Sequence, residues 1–421
     1  MKMKTKIITL FAAAAFVLTF GFSVSSCSDD NFTESIFDTT EHPLDEAQYT
    51  FPLDTFLKVN FLEPYNLRFI YRMQDIGSDM QKNLVPAAYD KSVDLAVLAK
   101  YLWFDVYKEL CGELFLKKYS PKIIHVIGSP SYEDTGAETL GVAEGGVKIT
   151  LMKCNKLDVE NIDGLNTYFF NTMHHEFAHI LDQNILRPTT FDEVSAGKYD
   201  YSSWTEKQDS VVASAGFVSP YASSQAREDW AEIISNYITR DSVDWNNLLA
   251  SASYDWEEID VENEQFYRQL FRGTPGVDYS LDTIGYYYKN KSGQSKVYRR
   301  LCARNADGTV ALDEFGNVQY INNDGIDGRE IILKKLQMAR EHLKVNFGVD
   351  IDAVRDMVQK RQYLTNLDGT FVTEDGYDIN SFPIKTFVNR LIKETYEGSG
   401  VKLIDSLRQQ VYRYAEELHN H

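Results

Sequence analysis

Residues 174–179 read His-His-Glu-Phe-Ala-His, and no other stretch restricts the possible structures of this chain as tightly. The run sits inside Leu165–Asn184, where Leu165, Tyr168, Phe169, Thr172, Phe177, Ile180 and Leu181 recur at helical spacing. Positions four apart on a helix stand one turn apart on one face, so His175 and His179 can grip a single cation. Glu176 is rotated about 100° from His175, within reach of a water at that cation without coordinating it. His174 points about 100° to the other side and reads as a packing residue. The plainer alternative is two surface or core histidines that happen to flank a glutamate.

A catalytic zinc needs a third protein ligand and an open fourth position. A third histidine six residues beyond His179 would fall at Ile185, so the class that uses one is excluded. Further on, Arg227-Glu228-Asp229-Trp230-Ala231-Glu232 lies on a helix-patterned segment, Gln225–Thr239. Glu228 and Glu232 are one turn apart, so one can bind the metal while the other hydrogen-bonds a ligand histidine and sets its tautomer. A solvated acidic helix start would explain these carboxylates alone. Asp182, one turn past His179, is a further candidate partner for that imidazole, a solvent-facing Asp being the equal alternative.

The N-terminus reads as an address. Lys2, Lys4 and Lys6 precede an apolar run, Ile7–Phe22, that is short for a membrane span. Val24-Ser25-Ser26-Cys27 then resembles a bacterial lipoprotein box, in which Cys27 is lipidated and becomes the mature N-terminus. Ser28-Asp29-Asp30 resembles the surface-export signal of Bacteroidetes lipoproteins. The expected organisation is a signal peptide at 1–26, a tether at 27–48, a catalytic core at 49–245 and a mainly helical part at 246–421 packing on it. The formal charge of −19 provides no basic surface for phosphates, which argues against nucleic acid as a partner. Cys111, Cys154 and Cys302 show no ligand spacing and read as small buried hydrophobes.

The helix with His175, Glu176 and His179, followed by a glutamate on a second helix, resembles the gluzincin branch of zinc metallopeptidases. Tyr221-Ala-Ser-Ser-Gln-Ala-Arg-Glu228, then Asp-Trp-Ala-Glu232, is similar to the anthrax lethal factor pattern. With the lipoprotein box, the whole resembles the substrate-import-associated zinc metallohydrolase lipoproteins of Bacteroidetes. This resemblance implies zinc on His175, His179 and Glu228, and Glu176 as general base. It further implies Tyr221 donating to a developing oxyanion and Glu232 orienting a ligand histidine. It also implies an outer-membrane, lipid-anchored peptidase in the company of a TonB-dependent transporter and a SusD-like lipoprotein. A second reading stays open: a zincin scaffold serving such a complex as a binding subunit with little or no hydrolysis.

The remaining pattern is α+β, a zincin-like arrangement with a small mixed sheet and an active-site helix. Strands are expected at Leu67–Met73, Ile123–Ile127 and around Val147–Leu151, the Gly145–Lys153 strand being an edge along which an extended peptide could add. Helices are expected at Ser92–Leu116, Arg329–Phe347, Asp350–Tyr363, Phe382–Glu397 and Val401–His419, and a short one near Ser203–Ala213. Asn305–Gly308 and Asn366–Gly369 read as hairpin turns. The first fits a calcium loop at several positions, but Ala303 stands where the leading Asp belongs. Tyr286-Tyr287-Tyr288 reads as core or interface rather than a sugar platform. No P-loop, dinucleotide glycine fingerprint or serine-nucleophile elbow occurs.

Overall fold

The computed structural model describes residues 44–419 except 74–83, 133–137, 140, 145–147, 260–285, 290–294, 308, 310, 378–382 and 396–398. The expected lipidation site Cys27 lies outside them. Ala47–His421 forms one compact unit.

The first half of that unit builds a sheet and the helices that cover it. Helix α1 (Phe51–Leu57) runs through a π turn, Lys58–Leu62, toward β1 (Arg68–Ile70). Only these three residues of the expected Leu67–Met73 strand pair with a neighbour, although Leu67, Phe69 and Tyr71 are all buried. Helices α2 (Tyr89–Ala99), α3 (Asp105–Cys111) and α4 (Glu113–Tyr119) replace the single helix expected at Ser92–Leu116. A π turn, Lys100–Phe104, joins the first two, and Gly112 at φ 85° stops the second. A positive φ of that size ends a helix because only glycine adopts it without cost.

Strands β2 (Ile123–Val126), β3 (Ser131–Tyr132), β4 (Glu138–Thr139), β5 (Gly141–Glu144) and β6 (Lys148–Leu151) follow. The main sheet has the order β1-β2-β6-β5, parallel except for the antiparallel β5–β6 pair. Ile124, Val126, Ile149 and Leu151 are buried in it, as β-branched runs in covered parallel strands usually are. The expected edge is therefore corrected: β6 is an interior strand, and among the described residues β5 lies at one edge and β1 at the other.

Asn161 caps α5 (Ile162–Leu165) by accepting from the Gly164 amide, and a π turn, Asn166–Phe170, leads into α6 (Asn171–Asn184). Helices α7 (Thr189–Val194) and α8 (Asp209–Ser214) flank a single 3-10 turn, Trp204–Glu206. A second 3-10 turn, Tyr221–Ser223, precedes α9 (Ala226–Thr239). Every residue of α9 from Glu228 to Thr239 is buried, so this helix is wrapped on all sides. It packs against α6, against the Tyr221–Ser223 turn and against helices from the C-terminal half.

Helix α10 (Ser242–Ser251) and strands β7 (Trp256–Ile259), β8 (Tyr286–Lys289) and β9 (Ser295–Arg300) come next, the strands forming a small antiparallel sheet. Tyr286-Tyr287-Tyr288 is thus strand β8. Helix α11 (Gly328–Phe347) starts on Asp327, which accepts from the Arg329 and Glu330 amides, and stops at Gly348 with φ 70°. Helix α12 (Ile351–Gln362) starts in the same way on Asp350. Asn305 and Asn366 each close a tight turn onto the carbonyl of a threonine four residues on. The side chains of Asp307 and Asp368 lock those turns by accepting from the threonine amide and hydroxyl, as hairpins rather than ion loops.

The expected helix at Phe382–Glu397 is a correction. Strands β10 (Thr373–Tyr377) and β11 (Pro383–Phe387) form a hairpin there, and only α13 (Arg390–Lys393) is helical. Pro383 opens its strand, where a missing amide is tolerated, and Thr386, Phe387 and Val388 supply β-prone bulk. Helix α14 (Leu403–His419) closes the chain against α1 and α2. The fold is α+β, mostly helical with small sheets. Among the described residues no helix is long and apolar enough to cross a membrane, and Cys111, Cys154 and Cys302 are free thiols.

Candidate metal centre

Two helices, α6 and α9, lie side by side in the core, and the motif residues meet between them. The outer face of α6 is anchored by aromatic packing: Phe177 stands edge-on to Trp103, Tyr107 and Phe115. Burying such a ring stabilises by about 1.5–3 kcal/mol, enough to fix the rotation of α6 about its axis. His174 joins this cluster, with Nδ1 3.1 Å from the Tyr107 hydroxyl, and burial lowers its pKa to about 3. It is a neutral packing residue.

That rotation turns His175 and His179 toward α9. The Glu228 Oε2 atom lies 3.1 Å from His175 Nε2 and 2.9 Å from His179 Nε2. Each residue offers one atom to a cluster whose members all lie within 4.8 Å of one another. Ligands held ~2.0–2.2 Å from a tetrahedral zinc stand roughly 3.3–3.6 Å apart, so Glu228 Oε2 would move a few tenths of an ångström from each imidazole to admit the ion. The donor set, two imidazole nitrogens and a carboxylate oxygen, suits zinc. Glu228 Oε1 accepts from Gln225 Nε2 at 3.3 Å and lies 3.8 Å from Arg227 Nε, which leaves Oε2 facing the histidines.

Glu232, one turn further along α9, accepts from His175 Nδ1 at 2.7 Å. Its other oxygen accepts from the Ser219 hydroxyl at 2.5 Å and from Asn236 Nδ2 at 3.1 Å. Burial alone would raise the pKa of this carboxyl, but the donors, with the His175 charge, hold it below the usual range. The same contest keeps Glu228 ionised: burial raises its pKa, and the two imidazoles bring it well below the usual range. Burial likewise opposes charge on His175, yet two carboxylates at its two ring nitrogens raise its pKa to about 10. His179, which shares only Glu228, is shifted downward by burial. Of the two imidazoles, only His179 is therefore neutral near pH 7.

Glu176 is 8% exposed, and its Oε2 has no hydrogen-bond partner among the described residues. Burial raises its pKa to about 7, with His175 and Arg227 opposing the shift and Glu228 and Glu232 adding to it. Tyr221 is 36% exposed and its ring stacks on His175 with centroids 5.8 Å apart, while Trp204 stands edge-on behind it. Burial and the neighbouring Glu228 carboxylate push the Tyr221 phenol upward, so it remains a proton donor.

Of the residues singled out from the sequence, His175, Glu176, His179, Tyr221, Glu228 and Glu232 come together. Asp182 does not, which corrects its expected pairing with His179. Its carboxylate accepts from the Arg187 amide at 2.7 Å and from the Arg187 guanidinium at 2.7 Å, tying down the chain after α6. His179 Nδ1 is left without a partner among the described residues. Ser219, Asn236 and Gln225 escaped the sequence reading. Asn236 stands four residues beyond Glu232 on α9, and Gln225, just before α9, three residues ahead of Glu228, so spacing contained that signal. Nothing local marks Ser219.

Behind the site lies a buried ion pair, Lys335 of α11 with Asp229 of α9, at 2.6 Å and with side chains 0% and 1% exposed. Tyr199 donates to the same Asp229 oxygen at 2.9 Å, and Lys335 also donates to the Gly216 carbonyl at 2.8 Å. This cluster joins α9, α11 and the segment leading to Ser219.

The profile of a family described as "Putative zinc-binding metallo-peptidase" matches residues 46–352. A crystal structure of a "putative zinc-binding metallo-peptidase" from Bacteroides caccae is similar, with 32% identity and a TM-score of 0.52. That similarity covers 78% of this chain and 95% of that one. A comparison with curated proteins finds no match. The matched region includes the His175–His179–Glu228 cluster and covers well over half of the chain; the chain belongs to this zinc-binding metallo-peptidase family.

Proposed function

We propose that the chain is a zinc-dependent peptidase that hydrolyses peptide bonds, with His175, His179 and Glu228 as metal ligands and Glu176 as general base. One observation carries this reading: three metal-competent atoms converge beside the buried Glu176, whose Oε2 has no partner among the described residues. When bound, zinc supplies Lewis acidity, lowering the pKa of a coordinated water to near 7 and polarising a carbonyl. Glu176, whose proton affinity is set near neutrality by burial, takes a proton from the attacking water and passes it to the departing amine nitrogen. Tyr221, held protonated, donates to the oxygen of the carbonyl under attack. Glu232 keeps His175 in one orientation. The β5 edge offers an extended peptide a strand to pair with.

The address residues place this activity, on our reading, at the outer membrane through lipid on Cys27, near a TonB-dependent transporter and a SusD-like lipoprotein that take up its products. The test is cleavage of an unstructured protein by zinc-loaded wild type and by Glu176→Gln. The expected result is equal zinc content and a loss of about 10²–10⁴-fold in the variant. Equal cleavage by both, or none by either across a broad peptide library, would overturn the peptidase and favour an accessory subunit.

A further inference from the structure

We infer that Ser219 is a positioning residue that ties the ligand His175, through Glu232, to the turn that carries Tyr221. The inference rests on the zinc-site reading above and concerns how the two sides of that site are held in register.

A serine hydroxyl has one hydrogen to give and lone pairs to accept with. The Ser219 hydroxyl donates to Glu232 Oε2 at 2.5 Å, which directs its hydrogen to α9. Ser219 Oγ in turn accepts from the Ala222 amide at 3.0 Å. Ala222 is fully buried, so its amide has no water to turn to. Both capacities of the hydroxyl are used, and they point to different elements: one to α9, the other into the turn Tyr221–Ser223.

From that turn the Tyr221 ring reaches back onto the face of His175, while Glu232 holds the Nδ1 edge of the same imidazole. The contacts close a ring that runs His175, Glu232, Ser219, the Tyr221 turn, and His175 again. Asn236 also donates to Glu232, but from within α9, so it cannot relate the turn to the ligand. Ser219 is the member of this ring that joins the two elements. Removing its hydroxyl would leave Glu232 Oε2 with the Asn236 contact from its own helix and the Ala222 amide without its acceptor. The ligand imidazole and the phenol would then lose their common reference.

The test compares wild type with Ser219→Ala, Ser219→Thr and Ser223→Ala, measuring zinc affinity by chelator competition and kcat and KM separately. The Ser223 hydroxyl donates to the Pro220 carbonyl and accepts from Lys207 Nζ, and among the described residues it makes no bond to Glu232. Ser219→Ala is expected to weaken zinc binding about 10–100-fold, the range seen when groups supporting a ligand are lost, and to lower kcat with little change in KM. Ser219→Thr, which keeps the hydroxyl, should restore both, and Ser223→Ala should leave zinc affinity near wild type. Zinc affinity in Ser219→Ala equal to wild type, or no rescue by threonine, would overturn the inference. A wild-type chain that takes up no zinc would instead overturn the site reading beneath it.

Discussion

Zinc binding should expel protons in a number set by the geometry of the metal-free site. Both ring nitrogens of His175 face ionised carboxylate oxygens, Nδ1 at 2.7 Å from Glu232 and Nε2 at 3.1 Å from Glu228. Carboxylates only accept, so both nitrogens must carry hydrogen and the ring is an imidazolium. A metal ligand must be neutral, so coordination through Nε2 releases one proton and leaves Nδ1–H on Glu232. His179 is neutral already, and its single proton moves from Nε2 to Nδ1 without leaving. Glu176, with a pKa near 7, holds about half a proton at pH 7 and about a tenth at pH 8, and a neighbouring dication would drive it off. Zinc binding should therefore release at least the one His175 proton, with Glu176 and a coordinated water of pKa near 7 adding to it. Titration calorimetry in buffers of different ionisation enthalpy reads this number directly. In Glu176→Gln the pH 7 value should drop by the share that Glu176 contributes. Release near zero at both pH values would refute the imidazolium, and with it the arrangement in which Glu228 and Glu232 hold one ring between them.

Three further outcomes follow from the same coordinates. Lys335→Met leaves Asp229 buried without its partner and should cost about 3–5 kcal/mol in denaturant unfolding, whereas Lys335→Met with Asp229→Asn should recover most of the loss. Burial shifts both groups toward their neutral forms, which marks the pair as costly to bury; a single variant costing under about 1 kcal/mol would contradict this. Tyr221→Phe should lower kcat by about 10²–10³-fold with zinc affinity and KM nearly unchanged, and an unaltered kcat would remove the phenol from the reaction. The metal-free protein should be squeezed from both sides of the pH scale in thermal melts. Glu228 and Glu232 have lowered pKa values, so their contribution is present above about 4.5 and is lost as pH falls through the folded values. His175 has a raised pKa, so its contribution is full below about 6.5 and is lost as pH rises toward about 10; a flat profile across the alkaline range would contradict it.

What could be read from the sequence divides along physical lines. Helices α6 and α9 were legible because their ligands repeat at one-turn spacing, a property of the local backbone. Their convergence was legible only as a consequence of metal chemistry, which demands a third ligand. The hairpin turns at Asn305 and Asn366 were legible because the Asx contacts are local. The β10–β11 hairpin was missed because an apolar run of that length suits helix or strand equally, and pairing with Thr373–Tyr377 decided it. Asp182 was misassigned because a carboxylate near a histidine in sequence has other cations to choose from, and Arg187 competes better. The edge strand was misplaced because strand order depends on where β5 folds back, which no residue in β6 encodes. Ser219 and Lys335 act across long sequence separations, and one sequence has no register for such contacts.

The most direct test is zinc stoichiometry by elemental analysis after dialysis, on wild type and on Glu228→Ala. The account predicts about one zinc per wild-type chain and almost none in the variant, because a site with two imidazoles alone lacks the third ligand that zinc requires. Equal zinc retained by Glu228→Ala, or no zinc in a folded wild-type chain, would contradict the convergence of His175, His179 and Glu228 on one ion.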